Sequence, residues 1–254
     1  MARFDLTDFE WSVMAPLLPN KVRGVKRVDD RRVLNGIFWR LRTGAPWADI
    51  PERYGPHTTC VNRFNRWRKA GVWDRILQAV SKAYDGKLQM IDSSSIRVHQ
   101  HAANGQKKRR DPVAWVARAA TTKIHALVDA CGLPILLKIT EGQAHDGRSA
   151  DDMLSSLGSG DMLLADRAYD SDALRLDLAE RGARANVKLM PNRVNLPPFN
   201  KRLYRKRNVV ERFFNKLKHF RAIATRYDKR DDNYLASIKL ASARIWMRFN
   251  ESMT

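Results

Sequence analysis

The sequence predicts a mixed α/β (α+β) protein in two parts. A small all-helical domain covers residues 1–84, and a mixed sheet flanked by helices covers 85–254. Three observations predict this. Up to about residue 84, apolar residues recur at helical spacing between recognisable start and stop residues. From residue 87 the apolar period shortens to that of strands, with helical segments between them. At 254 residues and 44% hydrophobic residues, the chain is long and apolar enough for one large core and one small one.

Each element has a local cause. "LTDFEWSVMAPLL" opens with Thr7 and Glu10 spaced as a capping box, then sets Trp11, Met14 and Leu18 at helical spacing. "DDRRVLNGIFWRLRTG" has acidic starts, an apolar face of Val33, Ile37, Phe38 and Leu41, and Gly44 as a stop. "PWADIPERYGPHTTCVNRFNRWRKAG" reads as a short helix, a turn at Gly55 and Pro56, and a second helix from about Thr58 to Ala70. That is a helix-turn-helix pattern. On its second helix Val61, Phe64 and Trp67 point inward, while Asn62, Arg63, Asn65, Arg66 and Lys69 are free to reach a DNA groove. "VWDRILQAVSKAYDG" supplies one more helix before a boundary at Asp85-Gly86.

Beyond it, "KLQMIDSSSIRVHQ" reads as a strand and "TKIHALVDACGLPILLKIT" as two strands around a Cys131-Gly132 turn. "GRSADDMLSSL" is a helix candidate, "DMLLA" a short buried strand, and "SDALRLDLAERG" a helix closed by Gly182. "RANVKLM" is the last strand, and two helices end the chain. The final one, from Asn233 to about Phe249, buries Leu235, Ile238, Ala241, Ile245 and Trp246. The basic run "NGQKKRRDP" reads as a mobile loop.

A formal charge of +20 makes a polyanion the expected partner, with nucleic acid ahead of anionic membrane. No apolar run approaches the ~18 residues of a membrane span, and "MARFDLTDFE" lacks a signal-peptide core. The expected location is cytoplasmic, at the nucleoid. Cys60 and Cys131 are far apart and in no metal-ligand spacing, so both read as small buried hydrophobes. The spacings of His99, His101, His125 and His145 fit no tight ligand set. Of these, His99 shares a strand with Asp92 and is the one in reach of a site there. The serines of "DSSS" lack the partners of a nucleophile.

Any metal would therefore be a hard cation held by carboxylates. Asp92 follows the apolar "LQMI" of the first strand, and Asp166 ends the strand "LLA". The carboxyl edge of such strands is where sites gather in open α/β sheets. The third acid is Glu211, alone in the basic stretch "YRKRNVVERFFNKLK". On a helix, Tyr204, Arg207, Glu211 and Lys218 fall within roughly 60° of one another. Val210, Phe213, Phe214 and Leu217 form a second, core-facing stripe. Residues 201–230 hold twelve Lys and Arg against Glu211 and Asp228, as suits a DNA-facing wall. Two-metal phosphoryl chemistry needs two or three carboxylates around a pair of Mg²⁺ ions, and Asp92, Asp166 and Glu211 meet that need if the sheet brings them together.

These residues resemble bacterial insertion-sequence transposases of the DDE class, of insertion-sequence family five. "FDLTDFEWSVMAPLLP" and "RRVLNGIFWRLRTGAPWADIPERYGPHTTCVNRFNRW" are similar to that family's amino-terminal domain. "IDSSSIRVHQHAA", "TTKIHALVDACGLPILLKITEGQAHD" and "LLADRAYDSDALR" are similar to its catalytic core, and Tyr204, Arg207, Glu211 and Lys218 match its signature Y-x2-R-x3-E-x6-K. The resemblance implies a ribonuclease-H-like fold, with which the order of strands and helices agrees. It implies Asp92, Asp166 and Glu211 as the catalytic, metal-holding triad for two Mg²⁺ ions, with Mn²⁺ able to substitute. Tyr204, Arg207 and Lys218 become contacts to the transposon-end backbone, beside Arg63, Arg66 and Lys69 of the helical domain. The partners implied are double-stranded DNA, as element ends and target, and a second copy of the chain when DNA is bound. The chain departs from the pattern at "VAWVARAA", where a Gly- and Ser-rich turn is usual, and at Ala168, where glycine is common. Two other readings stay open: a DNA-binding repressor or decayed transposase without catalysis, and a two-metal nuclease that cuts without joining.

Overall fold

The computed structural model describes residues 3–19, 29–81, 86–103, 121–147 and 151–253. The run "NGQKKRRDP", the segment "VAWVARAA" and Asp85 lie outside them. In chain order the main elements are α1 (Asp8–Met14), α2 (Asp30–Thr43), α3 (His57–Lys69), α4 (Val72–Ser81), β1 (Leu88–Val98), β2 (Thr121–Val128), β3 (Pro134–Glu141), β4 (Met162–Ala165), α5 (Asp172–Glu180), β5 (Arg184–Val187), α6 (Asn208–Lys218), β6 (Thr225–Arg226) and α7 (Asp231–Glu251). They divide into two compact units. The first holds the chain to Ser81, the segment opening at Val98 and everything from Lys216. The second holds β1 to Arg97 and β2 through Asn215. The division near residue 82 lies close to the linear boundary expected at 84, but the last 39 residues, 216–254, fall in the helical unit.

The reason is α7. The sequence reads it as burying Leu235, Ile238, Ala241, Ile245 and Trp246; Leu235 is only half-buried, whereas Tyr234, Ala236, Ser237, Ile238 and all of Leu240–Met247 are buried. A helix buried on nearly all sides belongs at the centre of a core. Arg244 of α7 carries the ionic part of that core. Its Nε and Nη2 donate to the two oxygens of Glu10, at 2.9 and 3.0 Å. Its nitrogens also reach the carbonyls of Phe4 and Asp5, each at 2.7 Å. Glu10 completes the expected capping box as well: its Oε2 accepts from Thr7 N–H while Thr7 Oγ1 accepts from Glu10 N–H. The two ends of the chain are thereby tied through one fully buried carboxylate.

The expected helix-turn-helix is realised in part. Its second helix is α3, entered through Gly55 at φ +87°. Its first helix is replaced by two single 3-10 turns, Trp47–Asp49 and Glu52–Tyr54, because Pro46 and Pro51 each start a turn and Gly55 ends the second.

In the second unit, the sheet path runs β3-β2-β1-β4-β5. β1, β2 and β3 pair antiparallel, while β4 and β5 run parallel to β1. Ile91, Leu127, Leu163, Ala165 and Val187 point to one face, where Met153, Leu154, Leu157, Tyr169, Leu174 and Leu178 cover them. By strand alternation, Met90, Asp92, Ala126 and Leu164 point to the other face. The helix expected at "GRSADDMLSSL" falls partly outside the described residues, and 151–156 run as turns and bends.

The β2–β3 turn seats α6. Asp129 Oδ1 accepts from the N–H groups of Cys131 and Leu133, and its carbonyl accepts from Gly132. Gly132 has φ +78°, and a Cβ there would meet the Val209 carbonyl oxygen at 2.7 Å. Backbone approach that close requires glycine. Cys131 is exposed on this turn, not buried as its composition class implied, because the turn leaves it outside the sheet. Gly132→Ala should destabilise the protein by roughly 2 kcal/mol from the positive φ and the contact with α6. Urea unfolding measures this, and an unchanged midpoint would show that the turn does not constrain the helix.

Candidate active site

The site begins with register. β1 and β4 pair as Leu88↔Met162, Gln89↔Leu163 and Met90↔Leu164. Carried two residues further, the same register sets Asp92 beside Asp166, and Asp166 keeps an extended backbone at φ −81° and ψ −178°. Parallel neighbours lie about 4.8 Å apart and share a face. The two acids thus leave adjacent strands on the same side, opposite the Ile91–Leu163 core. Each is aimed by a backbone donor. Ser93 N–H donates to Asp92 Oδ1, and Ala168 N–H donates to Asp166 Oδ1, both at 2.9 Å.

Two like charges at that spacing need a cation. Arg207 supplies one. Its Nη1 donates to Asp92 Oδ2 at 2.7 Å, and its Nη2 donates to Glu211 Oε1 at 3.1 Å. Burial pushes the Asp92 carboxyl above the usual aspartate range. Arg207 and Ser93 N–H pull it back, and the Asp166 charge adds to the rise. Arg207 responds in turn: burial would lower its pKa, but the Asp92 charge holds it above the usual value.

The chain leading to Arg207 is fixed from β5. Asn186 Nδ2 donates to the Asn200 carbonyl at 3.1 Å, and Asn200 N–H donates to Asn186 Oδ1 at 2.7 Å. Asn200 Oδ1 then caps the one-turn helix Lys201–Tyr204 by accepting from Leu203 N–H. A 3-10 turn, Arg205–Arg207, joins it to α6. The stretch is therefore helical almost throughout, as expected, with a tightened turn just before Glu211. Val210, Phe213, Phe214 and Leu217 are all buried, and Glu211 and Lys218 are exposed on the polar side.

Tyr204 lies 5.7 Å from the Arg207 guanidinium, ring centroid to Cζ. In the helical unit, Arg66 and Lys69 are exposed on α3. Arg63 requires a correction. It is buried, ion-paired to Asp30, and stacked 5.3 Å from the Trp67 ring, so it is not available to a groove. At helical spacing Arg63 and Trp67 share the inward face, which the count of free cations on α3 overlooked. His99 packs its ring edge-on against His101 and tilted against Tyr227, both at 4.8 Å. His125 points to the face opposite Asp92 and bonds Thr140 Oγ1 at 2.8 Å.

The sequence reading missed Tyr169. It ends the 3-10 turn that Asp166 caps, is buried, and its hydroxyl has no hydrogen-bond partner among the described residues. Burial raises its phenol pKa, and the charges of Asp146, Asp92 and Asp166 raise it further. Its apolar setting in "LLADRAYDS" reads as core, and core it is, packed with Ile91 and Leu163. Ala168 sits in that same turn without strain, since no described residue other than glycine has a positive φ.

All the donors present are hard oxygens, which suit Mg²⁺ or Mn²⁺. A seated guanidinium already marks where positive charge is stabilised. Among the described residues, no three His, Cys, Asp or Glu side chains stand close enough to hold one ion as they are.

This geometry defines an acidic site at the carboxyl edge of a mixed sheet, the ground plan of a polynucleotidyl transferase. Residues 84–246 match the family described as "Transposase DDE domain", and residues 6–77 match "Putative transposase of IS4/5 family (DUF4096)". The chain belongs to the DDE transposases of bacterial insertion sequences. It is 43% identical over 129 residues to "Putative transposase for insertion sequence element IS6501" of Brucella ovis, covering 50% of this chain and 99% of that one. It is 34% identical over 126 residues to "Insertion element IS402 uncharacterized 16.2 kDa protein" of Burkholderia cepacia, covering 44% of this chain and 84% of that one. The solved piggyBac transposase synaptic complex with hairpin DNA aligns at TM-score 0.53 and 11% identity, over 95% of this chain and 71% of that one. That likeness shows the shared ribonuclease-H-like fold. Among the described residues, no helix is long and apolar enough to cross a membrane.

Asp170, four residues past Asp166, anchors the loop after β5. Its side chain is shielded from solvent, paired with Arg175 at 2.9 Å and Arg193 at 3.0 Å, and accepts from Met190 N–H at 2.8 Å. Burial alone would raise its pKa, but Met190 N–H and the two arginines hold it below the usual aspartate range. A depressed carboxylate stabilises fully above its unfolded value of about 3.9, and that stabilisation is lost as pH falls through the folded value. Asp170→Asn should cost roughly 3 kcal/mol at neutral pH and less at pH 3. Urea unfolding at both pH values checks it, and an equal loss at both would remove the ionic explanation.

Proposed function

We propose that the protein binds the terminal inverted repeats of its own insertion sequence, cleaves DNA strands there, and joins the freed ends to target DNA. Asp92, Asp166 and Glu211 are the carboxylates of this chemistry. The observation that carries the reading is the shared environment of the three acids. Two are set side by side by strand register, and the third hydrogen-bonds the same guanidinium as one of them. Two Mg²⁺ ions, or Mn²⁺ in their place, would supply activation of the attacking oxygen and charge neutralisation at the leaving oxygen.

The residues of the chain do the rest. Asp92 and Asp166, each steadied by a backbone N–H, give the rigid half of the ligand set. Glu211, exposed in the first turn of α6, gives the adjustable half. Water attacks the scissile phosphorus and the 3′-oxygen leaves as a hydroxyl. That hydroxyl then attacks a target phosphodiester at the same site, and the target's own 3′-oxygen leaves. Tyr204, Arg207 and Lys218 receive backbone phosphates next to the acids. Arg66 and Lys69 are the DNA contacts of the helical domain, residues 1–84, as a DNA-binding module. Both element ends must be held during joining, so the DNA-bound protein is a homodimer working at the nucleoid.

Two measurements test this. In a strand-transfer assay with Mg²⁺, Glu211→Gln and Asp166→Asn should each lower joining by roughly 10²–10³-fold while end binding persists. Retained joining would sink the catalytic assignment; ends cut but never joined would make the protein a nuclease, and binding without cutting a repressor. In salt titrations of end binding, Arg66→Ala and Lys69→Ala should each reduce the slope by about 1, and Arg63→Ala should leave it unchanged. A slope reduced only by the Arg63 substitution would reverse the reading of α3.

A further inference from the structure

The Arg207 guanidinium lies between Asp92 and Glu211 and is the counter-cation of both. One fork nitrogen is spent on each carboxylate. The Glu211 contact is an i,i+4 pair with a carboxylate 55% exposed, which by itself is weak. The Asp92 contact is the strong one, with side chains only 14% and 16% exposed. While that fork stays in place, two of the three acids are neutralised and one oxygen of each is used. The remaining oxygens of Asp92 and Asp166 that have assigned partners serve backbone N–H groups. Among the described residues, no three His, Cys, Asp or Glu side chains form a ligand set as they stand.

Resting on the carboxylate reading above, we propose that Arg207 is a lock on the site, coupling metal loading to DNA binding. Without DNA, it serves as the resident counter-cation of Asp92 and Glu211 and keeps affinity for divalent ions low. The same planar fork fits a phosphate as well as a carboxylate. A DNA backbone arriving beside Tyr204 competes for the guanidinium, and Tyr204, already 5.7 Å from it, offers an aromatic face for the displaced position. Withdrawal of Arg207 leaves Asp92 and Glu211 as unpaired anions beside Asp166, which only a divalent ion satisfies. The chain is thereby kept from acting as a metal-charged nuclease before an end is bound. Linkage makes the effect reciprocal: whatever factor DNA adds to metal affinity, the metal adds to DNA affinity.

The test is a Mn²⁺ titration followed by electron paramagnetic resonance on the full chain, with and without a duplex carrying the repeat that flanks its own gene. Without DNA, Arg207→Gln should bind Mn²⁺ at least tenfold more tightly than the wild type. Arg207→Lys, which keeps the charge but not the fork, should fall between them. The duplex should raise wild-type affinity about tenfold and that of Arg207→Gln by less than threefold. Affinity in both variants equal to or below wild type overturns the lock, as does a wild-type affinity indifferent to DNA. Should Arg207→Gln fail to fold, Arg207→Lys alone decides between these outcomes. Asp92→Asn separates the two levels of inference. If it abolishes Mn²⁺ binding while Arg207 variants match wild type, the lock fails and the carboxylate assignment stands. If Mn²⁺ binding ignores Asp92→Asn, the carboxylate assignment itself fails.

Discussion

Everything in the catalytic unit follows from the repulsion between two carboxylates on neighbouring parallel strands. The β1–β4 register, carried two residues past Met90↔Leu164, sets Asp92 beside Asp166 on one face, and the Asp166 charge pushes the Asp92 carboxyl up. Arg207 offsets that repulsion by pairing with Asp92. Its position dictates the rest: a helix must start immediately after it, that helix must bury one side on the sheet, and the loop before it must be held. Each requirement is met by an identifiable contact.

Those contacts are mostly backbone devices. Gly132 lets the Val209 carbonyl approach the β2–β3 turn to a distance that a Cβ would forbid. Asn186 and Asn200 exchange two hydrogen bonds that start the helical run carrying Tyr204 and Arg207. Asp170 gathers two arginines and the Met190 N–H beneath the loop between β5 and that run. In the helical unit, Glu10 plays the corresponding part, drawing Arg244 and the amino-terminal carbonyls around one buried carboxylate. A buried carboxylate whose partners come from distant points of the chain costs much when one partner is lost, so it holds geometry better than it adds net stability.

Much of this was legible in the sequence. The capping box at Thr7 and Glu10, the stops at Gly44 and Gly182, the hairpin at Gly132 and the core stripe of Val210, Phe213, Phe214 and Leu217 all rest on neighbours within a few residues. The failures have a common cause. Arg63 was read as free, whereas Asp30 of a different helix pairs with it in the folded unit and Trp67, one turn along its own helix, covers it. Helix α7 was read as burying one apolar stripe, yet Arg244, Ser237 and Ser242 are buried as well. Cys131 was read as buried from its residue type, and a turn put it outside. Tyr169 was hidden because a buried tyrosine in an apolar run is indistinguishable from core until its hydroxyl is located.

The sequence by itself determined which acids were available, the spacing of Tyr204, Arg207, Glu211 and Lys218 on one helical stripe, and the order of strands and helices. Periodicity, caps and turn residues act over a few positions, so they can be read without knowing what else is near. Only the tertiary structure decided that the strands ending in Asp92 and Asp166 pair side by side, that Arg207 is bonded to an acid 115 positions away, and that the final helix belongs to the amino-terminal unit. Strand pairing and side-chain partnership are contacts between segments brought together by burial, and no local rule carries them.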